Sequence, residues 1–209
     1  MNAISSSKWV VRLTAALLAV ICVTLLLFAA EFIWTLRSAQ GCFRLVAGLT
    51  PGKSSLTDTK QLLRYAAFAH ESVPCTRERC SVDFYFESRL SWWHLIAPRR
   101  AFQGNIEIRN DAVETIHFFH MEGASMPLSV TVGPTEAPAA TPGLALGLSV
   151  VALSPERRKS VASVKQFAEL PVDSRRETLQ PNVWCLVKFG GCQTPQSIIP
   201  GTRSLSFEP

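Results

Sequence analysis

The chain has 209 residues, of which 47% are hydrophobic and 18% charged, and its formal net charge at pH 7 is +5. This balance excludes intrinsic disorder, which requires low hydrophobicity and high charge, and it excludes collagen and a long coiled coil. The net charge is too small to indicate a nucleic-acid-binding protein without a dense basic stripe. The length allows one ordinary domain, or a small domain with an extension.

The N-terminal region contains an apolar run long enough to cross a bilayer. Residues 13–30 carry no charge, and at ~1.5 Å per residue they cover roughly 27 Å of a hydrocarbon core that is ~30 Å thick. Trp9 and Trp34 flank the run, as aromatic residues do at membrane interfaces. The sequence therefore predicts a transmembrane anchor over 13–34 that contacts the lipid bilayer.

A cleaved signal peptide is the alternative to an anchor. Such peptides have an apolar region of ~7–15 residues and small residues before the cut, whereas here the run is longer and Phe28 lies three places back from the best position, after Ala30. Residues 1–12 form a short basic tail, which the positive-inside rule places in the cytoplasm. The chain has no N-x-S/T sequon, which favours a bacterial envelope. We therefore predict a single-pass bacterial inner-membrane protein whose main domain is periplasmic or extracellular.

The cysteines outside the apolar run also indicate export. Cys75 and Cys80 are close in sequence, as are Cys185 and Cys192, and we predict a structural disulfide in each pair. Crossed pairs between the two motifs are the alternative. Neither spacing suits a C-x-x-C redox centre or a zinc site, although an exposed, reducible Cys75–Cys80 bond would be compatible with a thiol redox partner. Cys42 is left over, either as a buried free thiol or as a link between two chains.

The first part of the exported region, 42–133, is predicted to be an α+β core. Residues 42–49 are interpreted as a short strand or extended lead-in, and a helix is predicted over 55–69, capped by Ser54 or Ser55. Period-two alternation then predicts strands at 80–88, 101–109, 112–121 and 127–133. The turn at Asn110-Asp111 makes the middle two strands a hairpin. A small helix-on-antiparallel-sheet domain is the simplest way to bury these faces.

The remaining residues are predicted to form a loop and an extension. Residues 134–143 are rich in Pro, Ala and Thr and are typical of a surface loop. Residues 144–209 are interpreted as a disulfide-stapled extension with one strand, one helix and a polar tail. The strand ends at Leu153, the motif Ser154-Pro155-Glu156 starts the helix, and Pro171 ends it.

No motif of a hydrolase, a P-loop protein or a metalloprotease is present, so we predict no catalytic residue, cofactor or metal. His117 and His120 lie three residues apart on a predicted strand, where they point to opposite faces and cannot share a metal. We expect surface or cross-strand histidines. The alternative is an envelope hydrolase, which requires a polar pocket that holds His94, His117 or His120 with a carboxylate.

The segment 88–100 is too apolar for a plain loop. One interpretation is a partner or membrane-surface patch, and the other is a loop that completes the core. The candidate patch consists of Arg89, Trp92, Trp93, Arg99 and Arg100.

An envelope protein or an anionic envelope polymer is a candidate partner, and a homodimer through Cys42 is a further option. An exported location excludes nucleic acid.

Residues 49–63, followed by an aromatic strand and a hairpin, resemble the opening of the small BamE-like (SmpA/OmlA) envelope modules. Those modules place a Gly-Lys/Thr-Ser turn before a helix and then add antiparallel strands, and the resemblance extends to residue 88. The matching positions are Gly52, Lys53, Ser55, Asp58 and Leu62. The chain departs from them in lacking a lipobox and the Gly-x-Pro that closes the helix.

The overall layout is also similar to uncharacterised membrane-anchored exported proteins of acidobacterial type. Neither resemblance implies catalytic residues. We therefore expect a non-enzymatic scaffold or binding module of the cell envelope.

Overall fold

A computed structural model describes residues 3–65, 67–76, 78–87, 99–123, 125–135, 145–153, 160–166, 170–188, 191–192 and 194–205. The chain opens with one 46-residue helix, α1 (Ala3–Gly48). A short helix α2 (Leu56–Lys60) and a 3-10 turn (Gln61–Tyr65) follow. The strands are β1 (Ala69–Val73), β2 (Arg79–Glu87), β3 (Arg100–Arg109), β4 (Ala112–Glu122), β5 (Ser125–Thr135), β6 (Ala145–Leu153) and β7 (Ser160–Gln166). The C-terminal segment contains α3 (Val172–Thr178), α4 (Pro195–Ile198) and the 3-10 turns Val183–Leu186 and Pro200–Ser204.

The seven strands form one antiparallel sheet in the order β1-β2-β3-β4-β5-β6-β7. Each strand pairs with its neighbour in sequence, so the sheet is a meander. The β3–β4 hairpin turns at Asn110 and Asp111, whose φ angles are 51° and 63°. Asn and Asp tolerate this left-handed conformation, which two-residue hairpin turns require. The α+β class, the hairpin and the four predicted strands are confirmed.

One face of the sheet is apolar across five strands and forms the core. Alternate side chains on β2–β6 are almost fully inaccessible, as period-two alternation predicts. They are Val82, Phe84, Phe86, Phe102, Ile106, Ile108, Val113, Ile116, Phe118, Leu128, Val130, Val132, Leu148 and Val150. The opposite face carries mainly polar side chains.

Helix α1 changes its surroundings along its length. From Trp9 to Trp34 nearly every side chain is exposed, and this part is long and apolar enough to cross a membrane. From Thr35 onward, one face of the same helix is buried. The prediction of an extended lead-in at 42–49 is therefore wrong. Continuing an existing helix avoids the cost of nucleating a new one, and the spacing of Cys42, Phe43 and Val46 places them on one helical face.

The ring of Phe43 joins α1 to the sheet. It lies 5.5–6.0 Å from the ring centroids of four phenylalanines on β2, β3 and β4, which are Phe84, Phe86, Phe102 and Phe118. Gly104 makes room for this cluster, because a Cβ there would lie 2.2 Å from the ring of Phe84. Such tilted and edge-to-face aromatic pairs stabilise beyond their buried area.

The helical segment that follows α1 is shorter and less regular than the helix predicted over 55–69. Ser55 caps α2 in a capping box with Asp58, as predicted, but the α-helix ends at Lys60 and β1 begins at Ala69. The helix predicted after Ser154 is also wrong, because residues 160–166 form the edge strand β7. The capping signal favours a helix, but pairing with β6 makes this segment a strand, since packing and pairing within a sheet outweigh local conformational preference.

These differences change the domain boundaries. Strands β6 and β7 continue the sheet, so residues 144–209 are not a separate extension. Pro134 and Thr135 belong to β5, and 136–143 of the predicted loop lie outside the described residues. The predicted disulfide loop and polar tail contribute buried side chains to the same core, among them Leu186, Ile198, Ile199 and Leu205.

We expect Phe43→Ala to lower the free energy of unfolding by about 3–5 kcal/mol, because it empties the centre of an aromatic cluster. The matched control is Arg44→Ala, one residue on, where the side chain is exposed and the expected change is within about 0.5 kcal/mol. Urea unfolding of the full chain in detergent, followed by near-ultraviolet circular dichroism, measures both. Equal effects of the two variants would contradict the central position of Phe43.

Candidate functional site

Both predicted cysteine pairs are disulfides within the chain. The Cα atoms are 4.2 Å apart for Cys75–Cys80 and 5.4 Å apart for Cys185–Cys192. Cys185 and Cys192 are buried, whereas Cys75 is partly exposed. Cys42 is a free cysteine with no exposed surface, which favours a buried thiol over a link between chains.

The candidate patch at 88–100 is only partly described. Arg89, Trp92 and Trp93 lie outside the described residues. The side chain of Arg99 is 74% exposed and lies 4.0 Å from the Glu87 carboxylate. Arg100, in contrast, is only 2% exposed. It cannot belong to a surface patch, and its inclusion in the predicted patch is corrected here.

Arg100 instead connects the sheet to the C-terminal disulfide loop. Its Nε donates to Glu122 Oε1 at 2.9 Å, and its Nη1 donates to the backbone oxygen of Lys188 at 2.7 Å. The backbone of Gly191 packs so closely against this ion pair that a larger residue would clash, since a Cβ there would lie 2.3 Å from Glu122 Oε1. A buried guanidinium requires such partners to offset its desolvation.

His120 lies on the core face, next to this ion pair. It has no exposed surface, and neither ring nitrogen has a hydrogen-bond partner among the described residues. Its ring lies 4.8 Å from that of Phe102. The prediction of a surface or cross-strand histidine is therefore wrong for His120, because the strand register turns this position inward. Burial, and secondarily the positive charge of Arg100, lowers the pKa of His120 to about 4, so the ring is neutral at pH 7.

The outer face of the sheet brings polar side chains from distant parts of the sequence into one row. Asp83, Asn105, His117 and Thr131 lie opposite one another on β2, β3, β4 and β5. A second row alongside contains Tyr85, Gln103, Phe119 and Ser129. We call these eight residues the outer polar face.

Hydrogen bonds fix several of these groups. Asn105 Nδ2 donates to Asp83 Oδ1 and, at 2.6 Å, to Ser81 Oγ. His117 Nε2 lies 3.0 Å from Ser129 Oγ. Burial lowers the pKa of His117, and the charge of Glu107 partly opposes this shift. The face therefore presents a carboxylate, an amide and a neutral imidazole in fixed positions beside two aromatic rings.

The contact between His117 and Ser129 raises the question of nucleophilic catalysis. A serine nucleophile also needs hydrogen-bond donors for the oxyanion, which are often backbone amides. Ser129 lies inside β5, which is paired with β4 and β6 on either side, so the neighbouring amides are committed to the sheet. Two clefts of about 350 and 240 Å³ are lined by described residues, and neither contains His117 or His120.

A metal site is not formed by the part of the chain that the structure describes, where no group of three His, Cys, Asp or Glu side chains converges. His117 and His120 point to opposite faces, as predicted. His94, the third histidine considered for a pocket, lies in the undescribed segment 88–98. The described geometry is suited to hydrogen bonding across an open surface.

No protein-family model matches this chain, and no curated protein or solved structure matches it.

We expect stability to depend on pH through His120. Its folded pKa of about 4 lies below the ordinary value of 6.5, so the unfolded chain binds a proton first as the pH falls. Stability is therefore lost between pH 6.5 and pH 4, by up to about 3 kcal/mol at ~1.4 kcal/mol per pKa unit. Urea midpoints measured across this pH range report the loss.

The variant His120→Leu should reduce that pH dependence, because it removes the histidine whose pKa is lowered to about 4, whereas His117, whose pKa burial also lowers, still contributes. The control His70→Gln, at an exposed position on β1, should leave the dependence unchanged. A His120→Leu profile that matches the wild type would show that the loss comes from other groups.

Proposed function

We propose that this chain is a single-pass protein of the bacterial inner membrane that holds a non-enzymatic binding module on the periplasmic or extracellular side. In this proposal residues 13–34 cross the bilayer and the basic tail, 1–12, remains in the cytoplasm. The outer polar face is the binding surface. Its ligand is a neutral, hydroxyl-rich envelope polymer, of which a glycan strand is the simplest example.

The continuity of α1 is the observation that carries the anchoring. Large apolar side chains between Val10 and Leu27 are 45–69% exposed in the isolated chain. Burying each of them is worth about 1.5–3 kcal/mol, and a bilayer supplies that burial. The same helix then enters the core from Thr35, with no linker between.

This continuity also supports a retained anchor. The best cleavage position, after Ala30, lies inside the regular helix. The two disulfides support an oxidising compartment for the domain.

The binding surface is proposed from its chemistry and its position. Carboxylate, amide and imidazole groups can donate and accept hydrogen bonds with hydroxyls, and Tyr85 and Phe119 offer aromatic surface. The side of the sheet that carries Asp83, Glu87 and Glu107 also carries Arg79 and Arg109, and Arg99 lies 4.0 Å from Glu87. The charge of this side is therefore mixed, with no basic excess to select an anionic polymer. Phe43, behind the polar row, lies 13 residues after Ala30, so the row stands roughly 20 Å beyond the apolar run.

The two alternatives have less support. A hydrolase is favoured by the contact between His117 and Ser129, but neither of the two clefts lined by described residues contains this pair, and the backbone amides beside Ser129 are paired in the sheet. A thiol redox partner requires an accessible bond, and Cys80 is only 1% exposed. The burial of Cys80 is instead what a structural disulfide requires.

We expect protein purified from membranes of its host to keep residues 1–30 and to contain both Cys75–Cys80 and Cys185–Cys192. It should resist extraction with alkaline carbonate, and protease added to spheroplasts should degrade the domain while an N-terminal tag stays protected. Non-reducing mass mapping and blotting for the tag measure these outcomes. Five free thiols outside the apolar run, together with a protease-resistant domain, would place the domain in the cytoplasm.

We expect Asn105→Ala and His117→Ala to weaken binding to chitin, an insoluble neutral glycan, about tenfold each, since each removes one or more fixed hydrogen-bonding groups. The matched control is Lys60→Ala, at an exposed position on α2, which should bind like the wild type. Co-sedimentation of the full chain in detergent measures the affinity, and thermal unfolding confirms that each variant is folded. Equal binding by all variants would exclude the outer polar face as the binding surface.

A further inference from the structure

Aromatic side chains surround α1 where it leaves its uncharged run. Phe32 and Trp34 belong to the helix, and Trp184 comes from the 3-10 turn that precedes Lys188. The rings of Phe32 and Trp184 lie 6.3 Å apart, and Trp34 lies 5.0 Å from Phe68. We call Phe32, Trp34 and Trp184 the aromatic collar.

The tryptophan side chains of the collar are exposed, although the backbone that carries Trp184 is held in place. Trp34 is 51% exposed and Trp184 60%. Asn182 Oδ1 accepts a hydrogen bond from the backbone N–H of Trp184 at 3.2 Å. On either side of Trp184, Val183 and Cys185 are buried, and Cys185 is tied to Cys192. The fold therefore holds a large apolar side chain outside the core.

The collar reaches two sides of the helix. Successive residues of an α-helix are rotated by about 100°, so Phe32 and Trp34 point in nearly opposite directions. Phe32 faces the C-terminal disulfide segment, and Trp34 faces the residue that precedes β1. The folded domain thus meets α1 on both sides at one level.

That level coincides with the expected edge of a bilayer. Phe32 and Trp34 follow Ala30 by two and four residues, which is a rise of roughly 3–6 Å. The polar interface on each side of the hydrocarbon core is about 5–7 Å thick. Tryptophan is enriched in this layer because its ring is apolar and its N–H is polar.

We propose that the aromatic collar docks the domain on the lipid surface, with Trp34 and Trp184 inserted among the headgroups of the bilayer that α1 crosses. This inference rests on the proposed membrane anchoring and adds to it a contact made by the folded domain itself. The occupant is lipid because the collar is continuous with the membrane-crossing part of α1. The neighbouring helix α3 carries two acidic and two basic residues, so a zwitterionic bilayer is sufficient.

The test uses the full-length chain reconstituted in phosphatidylcholine vesicles. Lipids brominated near the headgroup end of the acyl chain quench tryptophans at the interface, and iodide quenches those in water. The difference in quenched emission between the wild type and Trp184→Phe gives the quenching of Trp184. The same difference for Trp34→Phe gives the quenching of Trp34 on α1. Both substitutions keep an aromatic ring at a half-exposed position, so unchanged thermal unfolding is the control for the fold.

We expect brominated lipid to remove about half or more of the Trp184 emission and iodide to remove little, as for a ring among the headgroups. Quenching of Trp34 by lipid together with quenching of Trp184 by iodide would overturn the docking and leave the anchoring intact. A Trp184 that neither agent reaches is covered by a second copy or by another surface, and this also overturns the docking. If lipid quenches neither tryptophan and carbonate releases the chain, the anchoring itself fails.

Discussion

The insertion of Phe43 among four phenylalanines of the sheet is the interaction on which the rest of the structure depends. A single side chain from α1 contacts β2, β3 and β4 at once. Without the last third of α1, the inner face of the sheet would lose its central packing partner. The helix that is apolar enough to cross a membrane is therefore also a core element of the domain.

This double use of one helix has a mechanical consequence. A folded domain joined to its anchor by a Gly/Ser-rich linker moves independently of the membrane. Here the backbone hydrogen bonds of α1 run without interruption from the exposed part to the buried part. In the proposed anchored arrangement, the domain must follow any tilt or rotation of the helix, and helical rise sets its distance from the membrane.

Local patterns predicted much of this fold, and long-range register explains what they missed. Period-two alternation identified β2 to β5, and closeness in sequence identified both cysteine pairs. The apolar spacing at 42–49 fits a helix, but a segment of eight residues was too short to distinguish a helix from a strand. The capping signal at Ser154-Pro155 favoured a helix where pairing with β6 produces β7.

The candidate site was harder to predict because it depends on which residues face one another across strands. Asp83, Asn105 and His117 are separated by long stretches of sequence, and each looks like an ordinary solvated residue. Only the register of β2, β3 and β4 brings them into one row. The same register turns His120 inward, and no local pattern distinguishes it from His117, three residues earlier.

The orientation of the sheet relative to α1 limits what the outer polar face can reach. The inner face packs against the side of the helix, so the outer face points away from the helix axis. If α1 crosses the bilayer as proposed, along the normal or within the usual tilt of about 20°, this face points sideways over the membrane surface. A flexible polymer that runs parallel to the membrane can contact such a face with several consecutive units. A ligand embedded in the bilayer would instead have to reach roughly 20 Å beyond the apolar run, and the height of Phe43 on α1 therefore favours an extended envelope polymer over a lipid at this site.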